Sequence, residues 1–358
     1  MTKVVVAMSG GVDSSVAALL LKRRGLQVVG VSMHLWDGHG RAGGEGGSLC
    51  CDVDDIDDAR RVADAIGIPY YVLNLKDEFR REVVDRFVAE YLAGRTPSPC
   101  IRCNDALKFN LLVRRAGELG ADAVATGHYA RIDEAGGARR LLRGAEKRRD
   151  QSYFLFTLTQ GQLARLVFPV GGITKDEVRR VAVDAGLAVA AKGDSQEACF
   201  VPAGGYADFV AARAGDRDNS GEIVDTEGRT LGRHLAYYRY TIGQRRGTGL
   251  AFGAPRYVVA IDAEKKRVTI GGPDDLMASG LAADGANWVA GAPPEPGMPC
   301  LVKIRNGHRG AAARVFASDD TFTVRFDEKV RAVAPGQAAV LYTGDVVLGG
   351  GWIRGAIA

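Results

Sequence analysis

Residues 3–15 read Lys-Val-Val-Val-Ala-Met-Ser-Gly-Gly-Val-Asp-Ser-Ser, and no other stretch narrows the possible folds so far. The β-branched run 3–8 has the composition of a strand buried on both faces. Residues 16–21, Val-Ala-Ala-Leu-Leu-Leu, suit a helix, and Gly25 stands where a C′ glycine would end it. Between strand and helix lies the tight turn Ser9-Gly10-Gly11-Val12-Asp13-Ser14-Ser15. Such a junction gathers backbone N–H groups and a helix dipole at one point, and that point suits phosphate. Because Gly10 and Gly11 lack Cβ atoms, a phosphate oxygen can approach the main chain closely. A ligand-free βα turn is the plainer alternative. The serines and Asp13 packed beside the glycines speak against it.

Two commoner phosphate signatures are excluded. The turn lacks Gly-x-x-x-x-Gly-Lys-Ser, so the lysine that reaches the β- and γ-phosphates in a P-loop is missing. It is not Gly-x-Gly-x-x-Gly either, which removes support for a dinucleotide. The loop resembles instead the SGGxDS turn of the ATP pyrophosphatases, which cleave ATP between the α- and β-phosphates and adenylate a carbonyl oxygen.

At 358 residues the chain exceeds one ordinary core and points to two or three domains. Its 46% hydrophobic and 25% charged residues are those of a globular protein. No apolar run reaches the roughly 20 residues of a membrane span. The N-terminus enters a strand with no basic region or cleavage site, so no signal peptide or membrane partner is expected and the location is cytoplasmic. A net charge of +4 does not by itself announce nucleic acid. Six cysteines in such a chain point to thiol chemistry or metal rather than a secreted disulfide framework.

Strands at 27–33 and 70–75 alternate with helices at 52–67 and 77–92, the pattern of a parallel sheet covered on both faces. Ligands bind such sheets at the carboxyl ends of the strands. The stretch 37–47 is glycine-rich and reads as a loop, followed by Cys50 and Cys51. In 94–104, GRTPSPCIRCN, two closely spaced prolines argue for an extended, positioned loop instead of helix. A helix at 106–119 and a strand at 123–126 follow, ending in Gly127-His128-Tyr129. That position leaves His128 open to a structural or a substrate-touching role. Helices are expected at 160–166 and 175–185, the second opened by a Thr174–Glu177 capping box. Beyond Gly215, short alternating runs at 257–261, 267–270, 300–304, 321–326, 338–342 and 346–348 predict one or two small β-barrels.

Arg139, Arg140, Arg143, Lys147, Arg148 and Arg149 stand against Glu146 alone, directly before Asp150-Gln151-Ser152-Tyr153-Phe154. A basic run can be a solvated face. Beside planar side chains it also suits RNA, with charge for phosphates and rings for exposed bases. Residues 237–249, YYRYTIGQRRGTG, repeat the mixture and offer a second such surface.

Cys100, Cys103 and Cys199 admit three readings. They are buried small hydrophobes, or metal ligands, since Cys100-x-x-Cys103 has ligand spacing that Cys199 or the Cys50-Cys51 pair could complete. In the third, one thiolate carries sulfur and another resolves it. From end to end the chain resembles the tRNA-specific 2-thiouridylases. The signatures are AMSGGVDSSVAA, Cys50-Cys51, TPSPCIRCN with Leu107-Lys108-Phe109, ATGHYAR, RRDQSYFLF, LVFPVGGITKDEVR, KGDSQEACFV, YTIGQRRG, Lys303-Ile304-Arg305, AVAPGQAAVLY and LGGGWI.

The resemblance implies an α/β N-terminal catalytic domain over 1–204, with a parallel sheet of the adenine nucleotide α-hydrolase kind. It implies a small, mainly β central domain over 205–274 and a tRNA-binding C-terminal β-barrel over 275–358. The family adenylates O2 of the wobble uridine of tRNA, using ATP and Mg²⁺, and then replaces that oxygen with sulfur. Carried over by motif, Ala7, Met8, Ser9, Gly10, Gly11, Val12, Asp13 and Ser14 hold ATP, with Met33 and Gly127 shaping the adenine and ribose site. No resident metal is implied. Cys199 carries a persulfide handed over by a sulfur-relay protein or cysteine desulfurase. Cys103 is the second thiol, releasing sulfide or assisting the attack, and could close a disulfide with Cys199. Ser98, Pro99 and Cys100 line the target base. His128, Arg149, Asp150 and Gln151 touch tRNA, as do Arg305, Asn306 and Gln337 from the barrel, although Asn306 replaces the family's usual tyrosine. The CxxC of Cys100 and Cys103 keeps open an iron–sulfur thiolase using Cys199 as well. A nitrogen-transferring ATP pyrophosphatase shares the loop but needs neither paired thiols nor an RNA face.

Overall fold

A computed structural model describes residues 2–37, 53–193, 198–202, 205–249 and 253–358. Cys50, Cys51 and the glycine-rich stretch after Asp37 lie outside the described residues. Alternation along the first strand decides how the N-terminal sheet is covered. β1 (Lys3–Ala7) pairs in parallel with β2 (Gln27–His34) and β4 (Ala123–Thr126), and β2 pairs with β3 (Tyr70–Asn74). Val4, Val6 and Met8 pack in one cluster with Val16 of α1 (Val12–Arg23), Val62 of α2 (Val53–Ile66) and Val178 further on. Val5 and Ala7, on the other face, meet Phe109 and Leu112. Each fully buried valine contributes about 1.5–3 kcal/mol, so both faces are held. The two-sided parallel sheet expected from the sequence is present.

The helix α3 spans 76–92 and contains a π-turn at Arg80–Val84. Its successor differs from expectation. Instead of an extended loop through Asn104, a helix α4 over 99–118 starts at Pro99 with Ser98 as N-cap. Proline loses nothing at the first helical position, where the missing N–H has no intrahelical acceptor. Only 94–98 is loop, and Cys100 and Cys103 lie three residues apart on one helical face. A π-turn, Asn104–Leu111, follows directly.

After β4 the chain makes a hairpin, β5 (Ala130–Ala135) and β6 (Ala138–Arg143), and returns beside β4 as the short β7 (Leu166–Val167). The hairpin divides the basic run. Arg140 pairs with Asp133 across the strands and Arg139 approaches Glu134, leaving Lys147, Arg148 and Arg149 as the exposed part. The helix α5 (Lys175–Asp184) carries the expected capping box, with Thr174 and Glu177 reciprocally bonded.

α6 (Tyr206–Ala211) leads into a small sheet of β8 (Gly221–Val224), β9 (Thr230–His234), β10 (Tyr257–Asp262) and β11 (Arg267–Gly271), in the order β10-β11-β8-β9. Six further strands follow: β12 (Met277–Trp288), β13 (Met298–Lys303), β14 (Ala311–Ala317), β15 (Thr321–Arg331), β16 (Ala338–Thr343) and β17 (Val346–Ile357). They run β12-β15-β14-β13-β16-β17, and a β12–β17 pairing closes the barrel. The central β unit and the C-terminal barrel are those the sequence led one to expect.

Two aromatic groups expected on an RNA-facing surface are core. Tyr153 is buried where the N-terminal unit meets the barrel, its Oη donating to Ala338 O at 3.0 Å, and the half-buried Phe154 packs edge-on against it. Tyr237, Tyr238 and Tyr240 are buried likewise, and Arg239 between them pairs with Asp208. Rings that large bury too much apolar area to stay in water when a seam between units can take them. No helix among the described residues is long and apolar enough to cross a membrane.

Candidate active site

The loop between β1 and α1 is built to present amides. Gly11 is the N-cap, in extended conformation, and no side chain caps the helix. The first-turn N–H groups therefore face the loop without a side-chain acceptor. Ser14 holds the turn: its Oγ accepts from the Ser9 amide at 3.1 Å and donates to Gly11 O at 3.1 Å. Met8 is buried and fixed on both sides, its amide donating to Val31 O and its carbonyl accepting from Ser32 Oγ. Gly10 has φ +72°, and a Cβ there would overlap the Asp55 backbone. At the end of β4, a Cβ on Gly127 would stand 2.7 Å from the Ser14 nitrogen. Both glycines are thus required by close approach. Met33, buried at the end of β2, completes a set drawn from the carboxyl ends of three adjacent strands.

Beneath this loop lies an ion pair that sequence reading did not single out. Lys175 Nζ stands 2.8 Å from both carboxylate oxygens of Asp13, and Tyr129 Oη donates to Asp13 Oδ1 at 2.7 Å. Lys175 is buried. Burial, and then the Asp13 charge, raise the Tyr129 phenol far above its ordinary range, so it stays a donor. One signal was available: Lys175 is the first residue of α5, where the macrodipole disfavours a cation.

Cys103 and Cys199 pack against the same hydrophobic cluster, formed by Met33, Leu35, Phe79, Phe87, Phe200 and their neighbours. That cluster starts at the carboxyl end of β2. Both thiols are partly accessible, Cys100 is exposed and Cys300 is buried in the barrel. Burial, and then Asp327, push the Cys300 thiol up to about 12, which removes it from thiolate chemistry. Among the described residues there is no disulfide, so the Cys103–Cys199 bridge implied by resemblance is not formed here. Nor do any three His, Cys, Asp or Glu side chains among them gather as a metal site.

The residues expected to meet tRNA fall into three places. Ser98 and Pro99 line a cleft between α3, the head of α4 and the barrel, with Cys100 next in the chain. His128 sits between the rings of Phe109 and Phe168, with Nδ1 2.7 Å from Thr126 Oγ1. Burial, and then Lys108, hold its pKa well below the ordinary value, so it is neutral at pH 7. Arg149 is exposed, whereas Asp150 accepts the Gly144 and Ser152 amides and Gln151 accepts the Tyr129 amide. On the barrel, Arg305 and Asn306 are exposed, while the Gln337 amide donates to Thr96 O and Pro97 O.

Family models match in three consecutive parts: a tRNA methyl transferase HUP domain over 2–203, a tRNA methyl transferase PRC-barrel domain over 207–272 and an aminomethyltransferase β-barrel domain over 278–353. The tRNA-specific 2-thiouridylase MnmA of Geotalea uraniireducens is 52% identical, over 99% of this chain and 96% of its own length. The protein of the same name from Geobacter metallireducens is 53% identical, over 99% of this chain and 97% of its own.

Proposed function

Since the chain belongs to the tRNA-specific 2-thiouridylase family, we propose that it converts the wobble uridine of tRNA to 2-thiouridine, with ATP activating the base and a cysteine persulfide supplying the sulfur. The observation that carries this reading is the amide-presenting loop at β1 beside a cluster, begun at Met33, against which Cys103 and Cys199 both pack. The domain-model descriptions name a methyl transferase. A pyrophosphate-type loop and two partly accessible thiols against one cluster serve adenylation and sulfur transfer, and have no use in methyl transfer.

The uracil O2 is a poor leaving group. It attacks the α-phosphorus of ATP, pyrophosphate departs into the loop amides, and the oxygen then leaves as AMP. Ala7–Ser14, Met33 and Gly127 hold the nucleotide. Asp13 is the loop's carboxylate but is engaged by Lys175 and Tyr129, so Mg²⁺ would arrive on the ATP phosphates. The outer sulfur of a Cys199 persulfide attacks C2 as AMP leaves. The Cys103 thiolate then attacks Cys199 Sγ, leaving the sulfur on the base and a disulfide for a thiol reductant to reopen. Ser98, Pro99 and Cys100 line the base. The partners are tRNA, met by His128, Arg149, Asp150, Gln151, Arg305, Asn306 and Gln337, and a persulfide-bearing donor protein, in the cytoplasm. Residues 1–204 carry both chemical steps, 205–274 brace them and 275–358 hold the tRNA.

A single-turnover reaction with ATP, a persulfide donor and unmodified tRNA, read by the mass of the base, tests this. Cys199→Ser should keep tRNA-dependent pyrophosphate release and yield no thiolated base. Thiolation by that variant would refute the persulfide step, and absence of pyrophosphate release from wild type would refute adenylation.

A further inference from the structure

The cleft between α3, the head of α4 and the barrel has a volume of about 380 Å³, within the range of small-ligand sites. Four arginines line it. Three have carboxylates nearby: Arg86 with Glu82 at 3.2 Å, Arg95 with Glu90 at 2.6 Å, and Arg354 with Asp284 at 3.6 Å. The fourth, Arg102, immediately precedes Cys103 on α4. Its guanidinium carbon lies 4.5 Å from the centroid of the Trp352 ring, an arrangement that holds the cation by the π face. Among the described residues its N–H donors make no hydrogen bond, and its nearest charges, Asp105, Glu90 and Glu82, act only at a distance. Burial, and then the like charge of Arg86, work against its protonated form.

A guanidinium fork without an acceptor, in a cleft of net positive charge, is a receptor for a planar pair of anionic oxygens. Ser98 and Pro99 line the same cleft. We propose that Arg102, tethered by Trp352, receives a backbone phosphate of the tRNA within two nucleotides of the reacting uridine, and so sets the register of the anticodon loop against the helix that carries Cys103. This rests on the thiolation reading above. Arg102 is a positioning residue: the phosphate it holds is not one that reacts.

An anticodon stem-loop carrying one methylphosphonate linkage, moved stepwise through the loop, reads each phosphate separately. Wild type should lose about ten-fold in affinity at one linkage. Arg102→Gln should lose about ten-fold on the unmodified RNA and nothing further at that linkage. Its plot of log K against log salt should flatten by about 0.7, the value of one single-strand phosphate. Arg102→Lys keeps the charge but not the planar fork, and should restore the salt slope while recovering only part of the linkage effect. Free pyrophosphate provides the other arm: if R102Q loses pyrophosphate binding but keeps RNA affinity, the anion is a reaction product and the proposal is overturned. It is overturned also if R102Q responds to every linkage as wild type does. RNA that wild type neither binds nor thiolates would instead refute the thiolation reading, and this proposal with it.

Discussion

Replacing Lys175 by methionine removes the buried cation under the phosphate loop and, among the described residues, leaves Asp13 with the Tyr129 hydroxyl alone. At 2.8 Å, and with an effective dielectric of about 20, the pair's Coulomb attraction is on the order of 6 kcal/mol before desolvation is subtracted. Breaking a fully buried pair costs about 3–5 kcal/mol. Here the Lys175 side chain is 5% exposed but that of Asp13 is 31% exposed, so water relieves part of the carboxylate's loss and a cost of about 2–3 kcal/mol is expected. In a domain of this size that lowers the thermal transition by about 5–10 °C, readable by calorimetry. The double-mutant cycle with Asp13→Asn is the sharper measure. If the lysine acts through Asp13, the double variant should be little worse than the worse single one, with a coupling of about 2 kcal/mol. ATP affinity should fall as well, because the site loses a positive charge that the triphosphate would otherwise meet. Additive costs, with coupling below about 0.5 kcal/mol, would refute the assignment of Lys175 to the loop.

Gly127→Ala puts a methyl group 2.7 Å from the Ser14 nitrogen and must displace the start of α1. ATP affinity, measured calorimetrically, should fall about ten- to hundred-fold while the global fold is retained, and unchanged affinity would remove Gly127 from the site. His128 is held neutral by burial and then by Lys108, so its folded pKa lies below its unfolded one. Its contribution to stability is complete above about pH 6.5 and falls with decreasing pH, by up to about 1.4 kcal/mol per pH unit. His128→Gln should flatten that acid limb in urea titrations, and an unchanged slope would show that the ring protonates freely in the folded state.

What was legible in the chain is what local chemistry dictates. The strand, glycine turn and helix at 3–23 announce themselves because each step is decided by neighbouring residues, and the Thr174–Glu177 box for the same reason. Long-range pairing was not legible. β12, MASGLAADGANW, has no β-branched residue and is a strand because β15 and β17 flank it in a closed barrel. The β5–β6 hairpin did carry a local mark, Gly136-Gly137 with φ +61° and +77°. Reading the arginines as one block hid it. Pro99 misled in the opposite direction, because the rule that proline breaks helices does not apply to the first turn.

The site divides along the same line. Residues 7–14 adjoin one another and the end of β1, so local spacing marks the loop proposed to hold the nucleotide, whereas Met33 and Gly127 lie far along the chain and only the resemblance pointed to them. Cys103 and Cys199 are brought against one cluster only through the packing of α3 and the central unit, and no periodicity in the chain foretells that. The residues proposed to line the base depend on a third unit again. The Thr96 amide donates to Pro335 O, the Gln337 amide grips Thr96 O and Pro97 O, and a Cβ on Gly336 would press on Arg95. A barrel that served only to hold tRNA could hang from any linker. This one is fastened to the turn that starts α4, so RNA held on the barrel, as proposed above, would be referred directly to Ser98, Pro99 and the helix bearing Cys103. On the reading proposed above, the distance between a bound anticodon and the thiol would be set by that joint rather than by the flexibility of a connector.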